Sequence, residues 1–395
     1  MKNTLFLLLL SIVLYGCKTE EMILKTNTSG SVDVPLNARH RLAEPLQAIL
    51  DKHAKKGIPG MVAAIKDAQG FWVGTAGYAR LEDQTRMQPY HRHLAYSIAK
   101  TYTATLMMKL KERGFIKLDE PIKNYLPQNI SSRITGSDKI TVRQLLNQTS
   151  GLPDFSDQLS YSATWLNTQM RGTAPEQLLE YVYNKPLLFE SGKDWAYSNT
   201  NFLLAALAIE HITKKSYSQV LNEEILQPLG LKQTFAQMKA GEIEQKPVPN
   251  FYFAKYSDLR IENITRGNLA THGYSSMGED GILASPTDYL RFLEALVQRK
   301  IVTDASLKEM MTWVQGKNST EPDYGLGLYW VNYGKLPAEI GHQGAGLGGR
   351  TSLLHFTNNG ITVFVATNVG MNMGGPYARL ITDFINEVNE FVAAQ

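Results

Sequence analysis

The chain is poor in cysteine. Cys17 is the only one in 395 residues, so no internal disulfide is available. Excess charge of one sign is also missing. Lys and Arg number 40 against 37 Asp and Glu, a formal net charge of +3 without a dense basic block, which argues against nucleic acid as a partner. The N-terminal apolar run over residues 5–14 falls short of the roughly 20 residues that span a bilayer as a helix. There is no internal repeat and no low-complexity segment. What remains is 43% hydrophobic and 19% charged, the balance of a folded soluble body with length for a large core.

Lys2 precedes the apolar run, which ends at Leu14-Tyr15-Gly16-Cys17. That is the shape of a secretory signal. Its end resembles the lipobox of bacterial lipoproteins, in which the signal is cut before the Cys and that Cys is lipidated. Tyr15 departs from the small residue usual at its position. The resemblance implies a signal over 1–16, lipidation of Cys17, and an exported protein anchored to a membrane in the periplasm or at the surface of a bacterium. A lone cysteine after an apolar segment suits an anchor better than a staple. Residues 17–36, polar around Asn27-Thr28-Ser29-Gly30-Ser31, read as a flexible tether to a domain over 37–395.

Within that domain, Leu42, Leu46, Ile49 and Leu50 mark an amphipathic helix over 37–56. β-rich runs over 61–65 and 71–78 flank a turn at Asp67-Ala68-Gln69-Gly70. Further helices are predicted over 140–146 with Thr141 as cap, 201–211, 286–300 with Ser285 as N-cap and Pro286 at N1, and 376–392. Strands are predicted over 326–331, 351–356 and 361–367, the last two joined at Thr357-Asn358-Asn359-Gly360. Strands thus cluster at both chain ends and helices fill the middle. The economical assembly is α+β. One antiparallel sheet is built from both ends (37–90 and 320–395), terminal helices cover one face, and an all-helical lobe (91–319) is inserted on the other.

Three stretches carry chemistry. Ser97 and Lys100 are three apart at the start of a helix marked by Leu106, Met107 and Leu110 and ended by Gly114. An amine beside a serine hydroxyl, with its pKa lowered in an apolar site, can take the proton that keeps the hydroxyl from being a nucleophile. Taken alone, the pair is also a Ser N-cap with a solvated Lys. Trp195-Ala196-Tyr197-Ser198-Asn199 offers a phenol and an amide just before a helix, or else a core tyrosine and an N-cap. Gly341-His342-Gln343-Gly344-Ala345-Gly346-Leu347-Gly348-Gly349 is a glycine-rich strand edge whose N–H groups can stabilise an oxyanion, or else a mobile loop.

Together, Ser97-x-x-Lys100, Tyr197-x-Asn199 and His342-x-Gly344 resemble the three motifs of the penicillin-recognising serine hydrolases, in the right order. The segments 140–153, 189–192, 281–288 and 324–327 resemble that superfamily as well. The closest branch is that of class C β-lactamases, D-alanyl-D-alanine carboxypeptidases, D-amino-acid amidases and related esterases. The resemblance implies a β-lactamase/transpeptidase-like α/β sandwich and an acyl-Ser97 intermediate. Lys100 and Tyr197 would share the proton, in either order, with help from His342 if protonated. Asn199 would orient Lys100 and the substrate amide. The N–H groups of Ser97 and Ala345 would form the oxyanion hole beside Gly344. No cofactor or metal is called for.

Two departures bear on the substrate. His342 stands where class C β-lactamases usually carry Lys, and Gln343 where they carry Thr or Ser. A His is charged only part of the time near neutral pH, so the expectation moves from β-lactam turnover towards a peptidase, amidase or esterase. Arg350 is a candidate replacement for the missing cation. The leading expectation is hydrolysis of an amide or ester bearing a nearby carboxylate, such as a D-amino-acid or cell-wall peptide. A true β-lactamase and a sensor that acylates and stalls are the alternatives.

Overall fold

The computed structural model describes residues 26–167, 173–254, 260–317, 319, 324–331, 339–371 and 375–395. The signal-like run, Cys17 and the first part of the tether lie outside the described residues. Strands β1 (Gly60–Asp67) and β2 (Gly70–Arg80) form the expected hairpin, closed at Asp67↔Gly70. The Asp67 carboxylate accepts from the Gln69 N–H at 2.7 Å, an Asx turn. After β3 (Thr85–Arg86) the sheet resumes only near the C-terminus, with β4 (Tyr329–Val331), β5 (Glu339–Gly346), β6 (Gly349–Phe356) and β7 (Thr362–Thr367). The seven strands run β3-β2-β1-β7-β6-β5-β4. The two chain ends meet in the antiparallel pair β1–β7, from Met61↔Thr367 to Lys66↔Thr362.

β1 is apolar at every position over Met61–Ile65 because both of its faces are covered. Met61, Ala63 and Ile65 pack with α1 (Ala43–Lys55) and the C-terminal helix α6 (Pro376–Ala393). Val62 and Ala64 pack with the helical lobe. That lobe contains α2 (Ala99–Glu112), α3 (Val142–Leu146), α4 (Asn199–Thr213) and α5 (Pro286–Val297). α4 is buried on all sides from Thr200 to Ile209. Full burial of Phe202, Leu203 and Leu204 contributes roughly 2 kcal/mol each. The Thr141 cap and the Ser285 cap, the latter bonded to the Asp288 N–H, are those read from sequence, and the structure adds Gln144 to the first as a capping box.

Three details differ from the sequence reading. α1 starts at Ala43 because Asn37 to His40 form a side-chain-capped turn, the Asn37 carbonyl oxygens accepting from the Arg39 and His40 N–H groups. The strand predicted over 326–331 is reduced to Tyr329–Val331. Ahead of it the chain turns over α2, where Thr101 Oγ1 donates to the Gly327 carbonyl at 2.8 Å. Gly327 has φ +67°, and a Cβ there would sit 2.5 Å from that of Ala104, so only glycine fits. Finally, residues 26–36, read as the end of a tether, are held on the body. Thr26 is buried and donates to the Val248 carbonyl, and Leu36 bridges to Phe71.

Candidate active site

Tyr96, Ser97 and Ile98 form one turn of 3-10 helix that runs directly into α2. Tyr96 has φ +47°, a left-handed conformation that costs a non-glycine residue on the order of 1–2 kcal/mol. The buried ring fixes it there. A Cβ added at Gly346 would meet that ring at 2.1 Å, and one at Gly349 would meet its hydroxyl at 2.9 Å. Asn268 Nδ2 donates to its hydroxyl at 3.3 Å, and the His272 ring stands edge-on at 5.0 Å. The third glycine-rich motif therefore packs its small residues against the residue before Ser97.

Lys100, one turn further on, is completely buried. Its Nζ donates to Ser97 Oγ at 3.0 Å, Asn199 Oδ1 at 2.7 Å and the Glu279 main-chain carbonyl at 3.0 Å. Burial lowers its pKa, and the charges of Glu279, Asp280 and Asp154 oppose that. The Tyr197 ring lies 4.9 Å from Lys100 Nζ, and Ser97 acts on its hydroxyl, lowering the pKa that burial raises. Burial raises the Tyr197 pKa, and the nearby carboxylates add to that. Both groups are thus shifted towards their neutral forms beside one hydroxyl.

Asn199, the first residue of α4, is aimed by Asp154. The Asp154 Oδ2 accepts from the Asn199 N–H at 3.0 Å and Nδ2 at 2.9 Å, and Ser156 Oγ accepts the other Nδ2 hydrogen at 3.2 Å. The amide thus orients Lys100, as expected, but both of its side-chain donors are engaged within the protein rather than held for a substrate. Gln148, at φ +65°, fixes the Tyr197 segment: its side-chain oxygen accepts from the Ser198 N–H at 3.0 Å and Asn201 Nδ2 at 2.6 Å. Asp154, Gln148 and Glu279 were not singled out in the sequence. The first two lie in or beside the segment 140–153, whose pattern was the available signal.

Among the described residues β5 pairs with β4 only at Glu339–Gly341, so no described strand covers its edge beyond His342. The Arg350 N–H donates to Thr367 Oγ1 on the β7 side at 3.2 Å. The pair Ala345↔Arg350 is therefore of the non-hydrogen-bonded kind, and the Ala345 N–H faces that edge. A Cβ at Gly344 would come within 2.5 Å of the Ala95 carbonyl. That closeness brings the β5 edge beside the Ser97 turn, an arrangement in which two N–H groups can hold an oxyanion.

Two expectations are corrected here. His342 is buried, with Nε2 2.8 Å from the Tyr324 hydroxyl and Nδ1 at the Gln343 carbonyl. Burial, with the Lys100 charge second, pushes its pKa down to about 3. It is neutral at physiological pH and supplies no positive charge. Arg350 alternates in β6 with Thr351, whose hydroxyl bonds the Ala95 carbonyl, and shares a face with Ser352, which bonds Asn389 of α6. Its side chain leaves the sheet on the face opposite Ser97, so it does not replace the missing motif cation.

Known proteins share this fold. A D-stereospecific amidohydrolase from Streptomyces sp. is 27% identical, with TM-score 0.71 over 86% of this chain and 97% of its own. A D-amino acid amidase from Ochrobactrum anthropi SV3 is 25% identical, with TM-score 0.72 over 87% and 99%. Penicillin-binding protein 4* of Bacillus subtilis (strain 168) is 23% identical over 84% of this chain and 72% of its own length. Residues 41–381 match the sequence profile of the family described as Beta-lactamase; the chain belongs to that family and is a serine hydrolase.

Proposed function

We propose that the protein hydrolyses an amide or ester of a D-amino acid through an acyl-Ser97 intermediate. The observation that carries this is the buried Lys100 amine, bonded to Ser97 Oγ at 3.0 Å and to Asn199 at 2.7 Å. Burial lowers the Lys100 pKa and raises that of Tyr197, which favours the amine over a tyrosinate as the proton acceptor. Ser97 Oγ bonds to the substrate carbonyl carbon as its proton passes to Nζ. The oxyanion is held by the Ser97 and Ala345 N–H groups. As the C–N or C–O bond breaks, the leaving group takes the proton from Lys100 through the Tyr197 hydroxyl. Water repeats the sequence and frees Ser97.

The charges around the site favour a substrate with an ammonium group over one with a carboxylate. Asp154, Glu279 and Asp280 all act on Lys100, His342 is neutral, and Arg350 is on the other face. The solved neighbours named as a D-stereospecific amidohydrolase and a D-amino acid amidase support amide hydrolysis of a D-configured substrate. The test is intact-protein mass and turnover with D-phenylalanine amide, N-acetyl-D-phenylalanine amide, D-alanyl-D-alanine and a penicillin, beside Ser97→Ala. Free D-amino-acid amide should be preferred, and Ser97→Ala should be inert. Unchanged hydrolysis by Ser97→Ala would sink the mechanism, and consumption of the penicillin alone would make the protein a β-lactamase. We further propose export with a lipid on Cys17, supported by the run before it. Cells fed a labelled fatty acid should label wild type and not Cys17→Ser.

A further inference from the structure

Glu279 sits on the segment that leads into the Ile282–Ala284 strand, and its main-chain carbonyl accepts from Lys100 Nζ. Its side chain is 3% exposed. One carboxylate oxygen, Oε2, accepts from the Met277 N–H at 3.0 Å. The other, Oε1, is buried without a hydrogen-bond partner among the described residues. An orphaned buried acceptor is destabilising, more so when charged, so something must compensate it. The three donors of Lys100 are occupied by Ser97, Asn199 and the Glu279 carbonyl. The carboxylate therefore acts on the ammonium through its field, without a direct contact.

We propose that Glu279 is a positioning residue for Lys100: its buried carboxylate stabilises the ammonium form beside Ser97 and so sets the pH range in which the amine can take the serine proton. This rests on the reading of Ser97 as nucleophile and Lys100 as its base. Burial raises the Glu279 pKa, and the Lys100 charge opposes that. The other groups around the pair come from different elements. Asp280 is held by His272 Nδ1 at 2.7 Å. Asp154 holds Asn199. Both act on Lys100 in the same direction as Glu279 and less strongly. The Tyr197, Tyr161 and Tyr217 phenols are raised first by burial and then by the surrounding carboxylates, Glu279 among them. His342 is neutral.

Removing the Glu279 charge leaves the ammonium less stable, so the amine form appears at lower pH. Tyr197 is freed of the same negative field and shifts in the same direction. Both limbs of the acylation profile should move to lower pH, because interacting groups titrate as a unit. The experiment is the nitrophenolate burst from a p-nitrophenyl acyl ester, followed across pH for wild type, Glu279→Gln and Glu279→Asp. In Glu279→Gln the acid limb should fall by about one pH unit. In Glu279→Asp, which keeps the charge one methylene further back, it should fall by less. If Glu279→Gln does not fold, Glu279→Asp carries the test. An acid limb that stays in place in the folded variants, whatever the absolute rate, overturns the role. Hydrolysis of the ester by folded Ser97→Ala at the wild-type rate overturns the Ser97 nucleophile and this inference with it, so the two failures are told apart.

Discussion

His342 and Tyr324 are joined through a hydrogen bond of 2.8 Å between Nε2 and the phenolic oxygen, fully buried. On its other side, Nδ1 meets the Gln343 carbonyl, which can only accept, so Nδ1 carries the hydrogen and Nε2 accepts from Tyr324. Tyr329, tilted, and Tyr324, edge-on, flank the imidazole at 4.6 and 5.7 Å. The third motif thus contributes a neutral, satisfied ring.

That pairing has a consequence for stability against pH. The folded His342 pKa is depressed from 6.5 to about 3, so the unfolded chain binds a proton that the folded one refuses. Stability is fully present above the unfolded value and is lost as pH falls through the window between 6.5 and about 3. Relative to wild type, His342→Gln should show a shallower loss below that upper value, by about 1.4 kcal/mol per pH unit. Urea midpoints from neutral to mildly acidic pH measure it. Equal slopes in the two proteins would show that His342 is charged when folded.

Asp154 should matter to both fold and rate. It accepts from two Asn199 donors and from the Ser156 N–H and hydroxyl. Asp154→Ala leaves these donors unpaired at a cost of about 1–3 kcal/mol. It also frees the amide that holds Lys100, and kcat should fall about 100-fold. Denaturant melts and steady-state kinetics on the same preparation test both halves.

Lys100 carries both activity and stability. Lys100→Arg keeps the charge but cannot act as a base and exceeds the space of a fully buried side chain. Lys100→Met removes the charge and fits. Both should lose about 1,000-fold or more in kcat/KM. Both should also melt lower: Lys100→Arg because it overpacks its site, and Lys100→Met because it leaves the buried Glu279 carboxylate without its ammonium and the Asn199 side-chain oxygen and Glu279 carbonyl without their donor. Turnover by Lys100→Met near the wild-type rate would remove Lys100 from the mechanism.

Glycines differ by place. At Gly344 an added Cβ would meet Thr351 Oγ1 at 2.4 Å and the Ala95 carbonyl at 2.5 Å. Gly344→Ala must push β5 away from the Ser97 turn and should lower kcat/KM by about 100-fold. At Gly360, φ is +72° with nothing within 4 Å of the added atom. Gly360→Ala should lower stability by about 1 kcal/mol and leave kcat unchanged. Equal activity in the two variants would show that the β5–Ser97 approach is not needed.

Arg350 offers the sharpest contrast with the sequence reading. Because its side chain leaves β6 on the α6 face, Arg350→Gln should keep kcat/KM on a carboxylate-bearing D-peptide within about threefold of wild type, the range of an exposed charge acting at a distance. A selective rise in KM for carboxylate-bearing substrates would place the guanidinium in the cleft.

The sequence by itself determined the elements with local causes. The β1–β2 hairpin follows from its turn residues, α5 from Ser285 and Pro286, and α3 from Thr141. Ser97 and Lys100 were legible as neighbours because one helical turn brings them together whatever else the chain does. Tyr197 and Asn199 stood out as a phenol and an amide ahead of a helix, but only the resemblance joined them to Ser97, since two such groups two residues apart have no local reason to meet it. Only the tertiary structure decided the charge state and direction of what lies between. His342 is neutral because burial and Tyr324 leave no solvent to stabilise an imidazolium. Arg350 faces α6 because alternate β6 side chains leave on opposite faces of the sheet, and which face lies beside Ser97 is decided by the Thr351 bond to the Ala95 carbonyl, 256 residues away along the chain. Glu279 and Asp154 approach Lys100 from separate segments of the helical lobe, and the field they exert there depends on distance and burial, which no spacing along the chain encodes.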